Sequence, residues 1–268
     1  TSGLATNQSL SRITADNVAN AMTPGFVRRE GVVISTGLGG SIVGEVRREV
    51  DVALIRMARL ENAKMSEQQA VYEGLRDYTV YFGNPGDGIS PADKFTAFNS
   101  SLTTLVNMPA STGAQTDVVN RASDLALSIR ETSNALAGLR ADVDMEIRYE
   151  VSDLNEALYE MASLNNKMRD FRQGTIETAE FADRMDEVLD KISGIVDIRL
   201  TETSDGLINI YTTGGAALLE GDQVQDITYS AGDGKLFAGT QEITPGIDGV
   251  RGVEHGSLAG LSQLKADI

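Results

Sequence analysis

Residues 116–172 read TDVVNRASDLALSIRETSNALAGLRADVDMEIRYEVSDLNEALYEMASLNNKMRDFR. Their apolar positions advance by threes and fours through Val118, Ala122, Leu125 and Ile129. After one double step across Thr132 they continue through Leu136, Leu139, Val143, Ile147, Val151, Leu154, Leu158 and Met161. That is the heptad signature of a helix with one long apolar seam. The stretch holds no proline and a single glycine, Gly138, so nothing in it breaks a helix. At ~1.5 Å per residue it makes a rod roughly 80 Å long, well beyond an ordinary globular helix. Gly174 ends it. Its acids alternate with Arg121, Arg130, Arg140, Arg148 and Lys167, as on a solvated helix face.

Working outward, a shorter amphipathic helix is predicted over 178–193, with Phe181, Met185, Val188, Leu189 and Ile192 on one face. Upstream, Ser90 and Pro91 form an N-cap and first-turn pair for a helix that Pro109 stops. Residues 83–88 are a loop, and a further helix is predicted over 46–81. Downstream, residues 195–254 switch to a period of two, Val196, Ile198 and Leu200 alternating with polar residues, with turns at 204–206 and at further glycine clusters. The tail from Ser257 turns helical again and stops in mid-pattern at Ile268, while the chain opens on Thr1, so a piece of a longer protein is expected. The N-terminal end reads as a helix over 4–22, closed by Pro24-Gly25, then about 20 extended residues around the flexible break at 37–40, expected to lie as an arm across another surface.

The expected fold is therefore mainly α with a β-rich part, an elongated α+β bundle around the heptad helix. Its expected units are residues 1–22 (part of a terminal helix), 23–45 (a linking arm), 46–194 (an elongated helical domain), 195–254 (a β-rich subdomain) and 255–268 (the start of a segment returning to the helical domain).

The net charge is −16, which argues against nucleic acid and anionic membranes as partners. No apolar run approaches the ~20 residues that span a bilayer. The absence of cysteine removes disulfides and thiolate chemistry, and the single histidine, His255, excludes a multi-histidine zinc site. His255 reads as a surface or turn residue. A carboxylate-based metal enzyme is the rival reading, because Asp183 and Asp186 share a helix face, Glu146 and Glu150 do likewise, and Asp142 and Asp144 lie close together. Asp222, Asp226 and Asp233 lack calcium-loop spacing. All these acids fit solvated faces and turns, and no phosphate-binding or nucleophile motif is present. No cofactor or metal is expected. What remains is architecture, which favours an assembly protein over an enzyme.

Residues 16–30, DNVANAMTPGFVRRE, closely resemble the N-terminal signature of the bacterial flagellar axial proteins, in which a helix ending in N-[IV]-A-N leads into T-P-G-[YF]. Asn17, Asn20, Thr23, Pro24, Gly25 and Phe26 all fit it. Further segments resemble the hook-associated protein 1 family, the hook–filament junction proteins. They are Arg47-Arg48 with Asp51, Leu54 and Arg56; Phe98, Leu102, Leu105 and Pro109; the long helix around Val151, Asn155 and Asn165; and Gly256 to Leu261. Arg184-Met185 stand where that family has Gln-Arg. The resemblance implies a non-enzymatic, secreted structural component of the flagellum, exported by the type III apparatus without a cleaved signal peptide. It implies a ring of identical copies joining hook to filament, with inner coiled coils of terminal helices. The hook protein, a neighbouring hook-associated protein and a cytoplasmic export chaperone are the implied partners. Asn17, Asn20, Thr23, Pro24, Gly25, Phe26, Arg47, Arg48 and Asp51 are its subunit-packing residues. A hook or second junction protein is the nearest alternative.

Overall fold

The computed structural model describes residues 2–23, 25–37, 39–82, 86–171, 174–203, 206–247 and 251–268. Pro24 and Arg172 lie outside the described residues, as do parts of the expected break at 37–40, loop at 83–88 and turn at 204–206. The elements in order are α1 (Ser2–Ala19), β1 (Arg29–Ser35), β2 (Ser41–Arg48), α2 (Val52–Phe82), α3 (Pro91–Asn107), α4 (Thr112–Asp170) and α5 (Ile176–Ile195). Then come β3 (Ile198–Glu202), β4 (Ile208–Thr212), β5 (Ala217–Glu220), β6 (Gln223–Val224), β7 (Ile227–Ser230), β8 (Lys235–Ala238), β9 (Gln241–Glu242) and α6 (Ser257–Asp267). The fold is α+β, as expected.

Helix α4 begins at an N-cap, Ser111, whose hydroxyl accepts from the Ala114 amide. Its two halves differ. From Leu139 to Met168 the heptad seam is buried, and Ile147, Leu154, Leu158 and Met161 are fully covered by α5, α6 and the strands. In the first half α3 covers only a narrow strip, and Val119, Leu127 and Ile129 stay more than half exposed.

The β-rich part forms two antiparallel sheets, β3-β4-β5-β6 and β7-β8-β9, laid along the buried half of α4. Two asparagines of α4 weld the layers. Asn165, fully buried, donates to the carbonyls of Ile208 (2.9 Å) and Gly221 (2.6 Å) and accepts from the Ile208 amide (3.0 Å). Asn155 donates to the Ile227 carbonyl and accepts from its amide, both at 2.8 Å. A carboxamide carries one donor edge and one acceptor edge, so it pairs with a strand residue as another strand would.

Helix α6 lies against α2 and α4. At Gly260 it approaches α2 so closely that a Cβ would stand 2.4 Å from the Glu67 carbonyl oxygen. His255, just before α6, lies in a bend with its side chain partly exposed, and it also makes two polar contacts. Its Nδ1 lies 2.6 Å from Glu67 Oε2, and its amide donates to the buried Asp197 carboxylate.

The structure departs from the sequence reading in the N-terminal quarter. The stretch expected as an extended arm across another surface folds back on itself: β1 pairs antiparallel with β2, with an irregularity between Val32 and Val33. Residues 46–48, expected to open a helix, are the last residues of β2, and α2 starts at Val52 behind Asp51. Val46, Val50 and Leu54 have helical spacing. The cross-strand bonds to residues 29–31, which win at Val46, are non-local and leave no mark on that spacing. Helix α1 ends at Ala19, and of its apolar positions Ile13 is buried while Leu4 and Val18 are exposed.

Candidate functional site

The residues singled out in the sequence gather where α1, the β1–β2 hairpin and α5 meet. Asn17, near the end of α1, donates to the Arg29 carbonyl (2.8 Å) and accepts from the Arg29 amide (2.9 Å). It thereby holds α1 on the first residue of β1 by the carboxamide pairing used by Asn155 and Asn165. Asn20 closes the helix: its amide and its Nδ2 both donate to the Asp16 carbonyl at 3.0 Å. The Thr23 amide donates to the Asn20 carbonyl (2.9 Å) and its hydroxyl to Asn20 Oδ1 (3.2 Å). Gly25 has φ +80°, a conformation that disfavours a side chain, and the Phe26 amide donates back to the Thr23 carbonyl. These bonds turn the chain sharply out of α1.

In the hairpin register Arg29 stands directly opposite Arg48. Two like charges facing each other across antiparallel strands destabilise a hairpin. Here an aspartate of α5 lies between them. Asp183 accepts from Arg29 Nη2 through Oδ2 (2.7 Å) and from Arg48 Nε through Oδ1 (2.8 Å). Arg48 reaches on to Asp186 (2.5 Å), which also accepts from Arg59 of α2 (2.8 Å), and Arg59 ends at Asp190 (2.7 Å). Glu180 lies 3.6 Å from Arg29. Three arginines from three successive elements thus interleave with Asp183, Asp186 and Asp190 along one face of α5. The Arg29 side chain is only 5% exposed and its guanidinium lies over the Phe26 ring, 4.9 Å from the centroid.

The other expected residues have local roles. Arg47 points to the opposite face and pairs with Glu45 at 2.9 Å, and that hydrogen bond lowers the Glu45 pKa. Asp51 is the N-cap of α2, accepting from the Leu54 amide at 3.0 Å. Pro24 lies outside the described residues. Sequence reasoning missed Arg29 and Arg59. Asp183 and Asp186 appeared as candidate acids on one helix face and as the two aspartates of the 181–186 segment that resembles the family's L-L-D-Q-R-D. The signal available was the i, i+3, i+7 spacing of aspartates 183, 186 and 190; the arginines that answer it are over a hundred residues away. Arg184, beside them, turns outward and pairs with Glu160 and Glu187.

Those aspartates are engaged by guanidinium groups, and no group of three or more histidine or acidic side chains among the described residues is placed to hold a metal ion. Asp226 accepts from Tyr159 (2.7 Å), away from Asp233, whose pKa is lowered by the Ser230 hydroxyl. Asp144 bonds Lys265 (2.6 Å) and Tyr229, tying α6 to α4. Beside it, α2 and α4 flank an open groove of about 570 Å³, floored by Leu261 and Leu264 of α6. The groove is edged by Glu73, Asp77, Asp142, Glu146 and Glu150, and burial raises the pKa of Glu150.

A long partly covered helix, sheets stapled along it and a helix–hairpin unit carried on a polar junction define a structural helical module with a β-rich part. The family model described as the flagellar hook-associated protein FlgK helical domain matches residues 79–268, and the chain belongs to that family. It is 23% identical over 223 residues to flagellar hook-associated protein 1 of Bacillus subtilis, covering 76% of this chain and 43% of that protein. It is 21% identical over 237 residues to flagellar hook-associated protein 1 of Escherichia coli, covering 84% and 43%. The solved structure of the flagellar hook junction protein FlgK from Burkholderia pseudomallei superposes with a TM-score of 0.63 at 18% identity, over 80% of this chain and 39% of that one, which is a likeness of fold. The chain spans less than half the length of these relatives.

Proposed function

We propose that this chain is part of a hook-associated junction protein of the bacterial flagellum. In this reading the protein is exported through the type III apparatus without a cleaved signal peptide. Outside the cell it assembles with copies of itself into a ring between hook and filament, next to the hook protein and a neighbouring hook-associated protein. A cytoplasmic export chaperone holds it before secretion. Its role in this reading is structural and not enzymatic, which the engagement of the α5 acids by Arg29, Arg48 and Arg59 supports. The observation that carries the reading is the coincidence of the family match over 79–268 with an N-terminal signature that folds into a helix, a hydrogen-bonded turn and a hairpin.

Surface left uncovered supports it too. Leu54, Met57, Met65, Tyr72 and Leu75 lie exposed on one side of α2, interrupted by Glu61 and Gln68, Met65 being 65% and Tyr72 62% exposed. Apolar side chains left open in this number are suited to cover by further polypeptide.

The test is complementation of a strain lacking the intact protein. Replacing Pro24-Gly25 by Ala-Ala removes the turn that aims the chain out of α1, so swimming is strongly reduced while the secreted protein keeps its helical circular dichroism and unfolding midpoint. Full motility with the altered turn contradicts the assembly role of this signature.

A further inference from the structure

Helix α1 and the hairpin form one rigid unit. Ile13 is buried between them, Thr6 donates to the Ser41 carbonyl at 2.5 Å, and Asn17 brackets the Arg29 backbone. The α1 side of Gly31 is so close that a Cβ there would lie 2.8 Å from Leu10 Cδ2. The contact of this unit with the helical body is of another kind. Beside the covalent link through residues 49–51 into α2, one backbone hydrogen bond among the described residues joins them, from the Val46 amide to the Gly174 carbonyl (2.7 Å). Around that tie an open crevice of about 240 Å³ separates Ser9, Ile13 and Val43 from Thr175, Ile176 and Glu177, so apolar packing across the seam is incomplete. The remainder of the attachment is ionic: Arg29 and Arg48 on Asp183, and Arg48 with Arg59 on Asp186.

We propose that the Arg29–Arg48 pair and the aspartates of α5 form an electrostatic clasp that fixes the direction in which α1 leaves the helical body. Two features make it directional. Arg29 and Arg48 face each other in the hairpin register, so the strand pair keeps that register at lowest cost only when an anion sits between them. Asp183 supplies it from a fixed turn of α5. The guanidinium of Arg48 then uses Nε on Asp183 and Nη2 on Asp186, a planar two-point grip that resists rotation in a way a single ammonium contact does not. Arg59 shares Asp186 with Arg48, so the orientation of α2 enters the same network. Removing the clasp leaves both halves folded and leaves residues 49–51 with the Val46–Gly174 bond as a swivel. The inference stands on this geometry and is independent of the flagellar reading.

The chain has no cysteine. Gln8→Cys on α1 and Glu156→Cys on α4 therefore take spin labels at two exposed positions, and pulsed dipolar spectroscopy reads the distance between them. The parent gives one narrow distance distribution. Arg48→Met keeps the hydrocarbon stem and strands no charge, since Asp183 retains Arg29 and Asp186 retains Arg59. It at least doubles the width of the distribution while the helical signal at 222 nm and the unfolding midpoint hold to within a few degrees. Arg48→Lys, a charge without the fork, falls between the two. If Arg48→Met loses its helical signal, the parent decides alone: in about 1 M salt, where the screening length falls to ~3 Å, its distribution broadens to a smaller extent because the pairs are partly shielded from solvent. An unchanged narrow distribution in the folded Arg48→Met chain overturns the proposal. So does an unchanged parent in high salt if that variant does not fold.

Discussion

Asn17, Asn155 and Asn165 each present both edges of a carboxamide to the backbone of a strand residue, at Arg29, Ile227 and Ile208 respectively. Their surroundings decide what each bond is worth. Asn165 is fully buried, so truncating it removes the partner of the Ile208 amide and of the Ile208 and Gly221 carbonyls inside a covered layer. Asn165→Ala is expected to cost about 3 kcal/mol. Asn17 is half-buried at the end of α1, where water replaces the lost partner, and Asn17→Ala is expected to cost about 1 kcal/mol or less. Urea unfolding of the two variants checks the order; equal losses contradict the pairing account. The sequence named both residues through family resemblance, but the strand residue that each one meets is non-local and could not be read from spacing.

Among the elements, α4 was legible because its heptad pattern is local: seam, cap and terminating Gly174 lie within one continuous stretch. What covers it was not. Val118, Leu125 and Ile129 continue the pattern of Leu139 and Ile147, yet this chain supplies little more than α3 to the first half and two sheets with α5 and α6 to the second. The extended character of residues 26–45 around the break at 37–40 was legible, but their pairing into a hairpin was not: cross-strand bonds between residues 29–35 and 41–48 are non-local and override the helical spacing at Val46. The join between α4 and α6 yields a pH prediction. Burial pushes the Asp144 pKa up, but hydrogen bonds from Lys265 and Tyr229 and the Lys265 charge outweigh it and hold the group below its ordinary value. A carboxylate depressed in the folded state stabilises above its unfolded pKa of ~3.9, and that stability drains away as pH falls through the lower folded value. Urea titrations from neutral pH down to about pH 2 should show a stability loss beginning below about pH 4, and Asp144→Asn should be less stable at neutral pH with a shallower acid limb. An unchanged acid limb in that variant contradicts the assignment.

At the scale of the molecule, the buried core lies in one region: the second half of α4 with α5, α6 and the two sheets. Elsewhere the elements leave apolar surface open. On the proposed function, the exposed apolar side of α2, the acid-edged groove between α2 and α4, and Val119, Leu127 and Ile129 on α4 are surfaces for further polypeptide, either the rest of the same protein or an adjoining subunit. That is the central claim, and maleimide labelling tests it most directly. Met65→Cys and Tyr72→Cys are introduced on that side of α2, both in this 268-residue chain and in the intact protein within isolated flagella. The account predicts fast labelling in the isolated chain and protection by an order of magnitude or more in the assembled protein. Equal labelling rates at both positions in both states would contradict it.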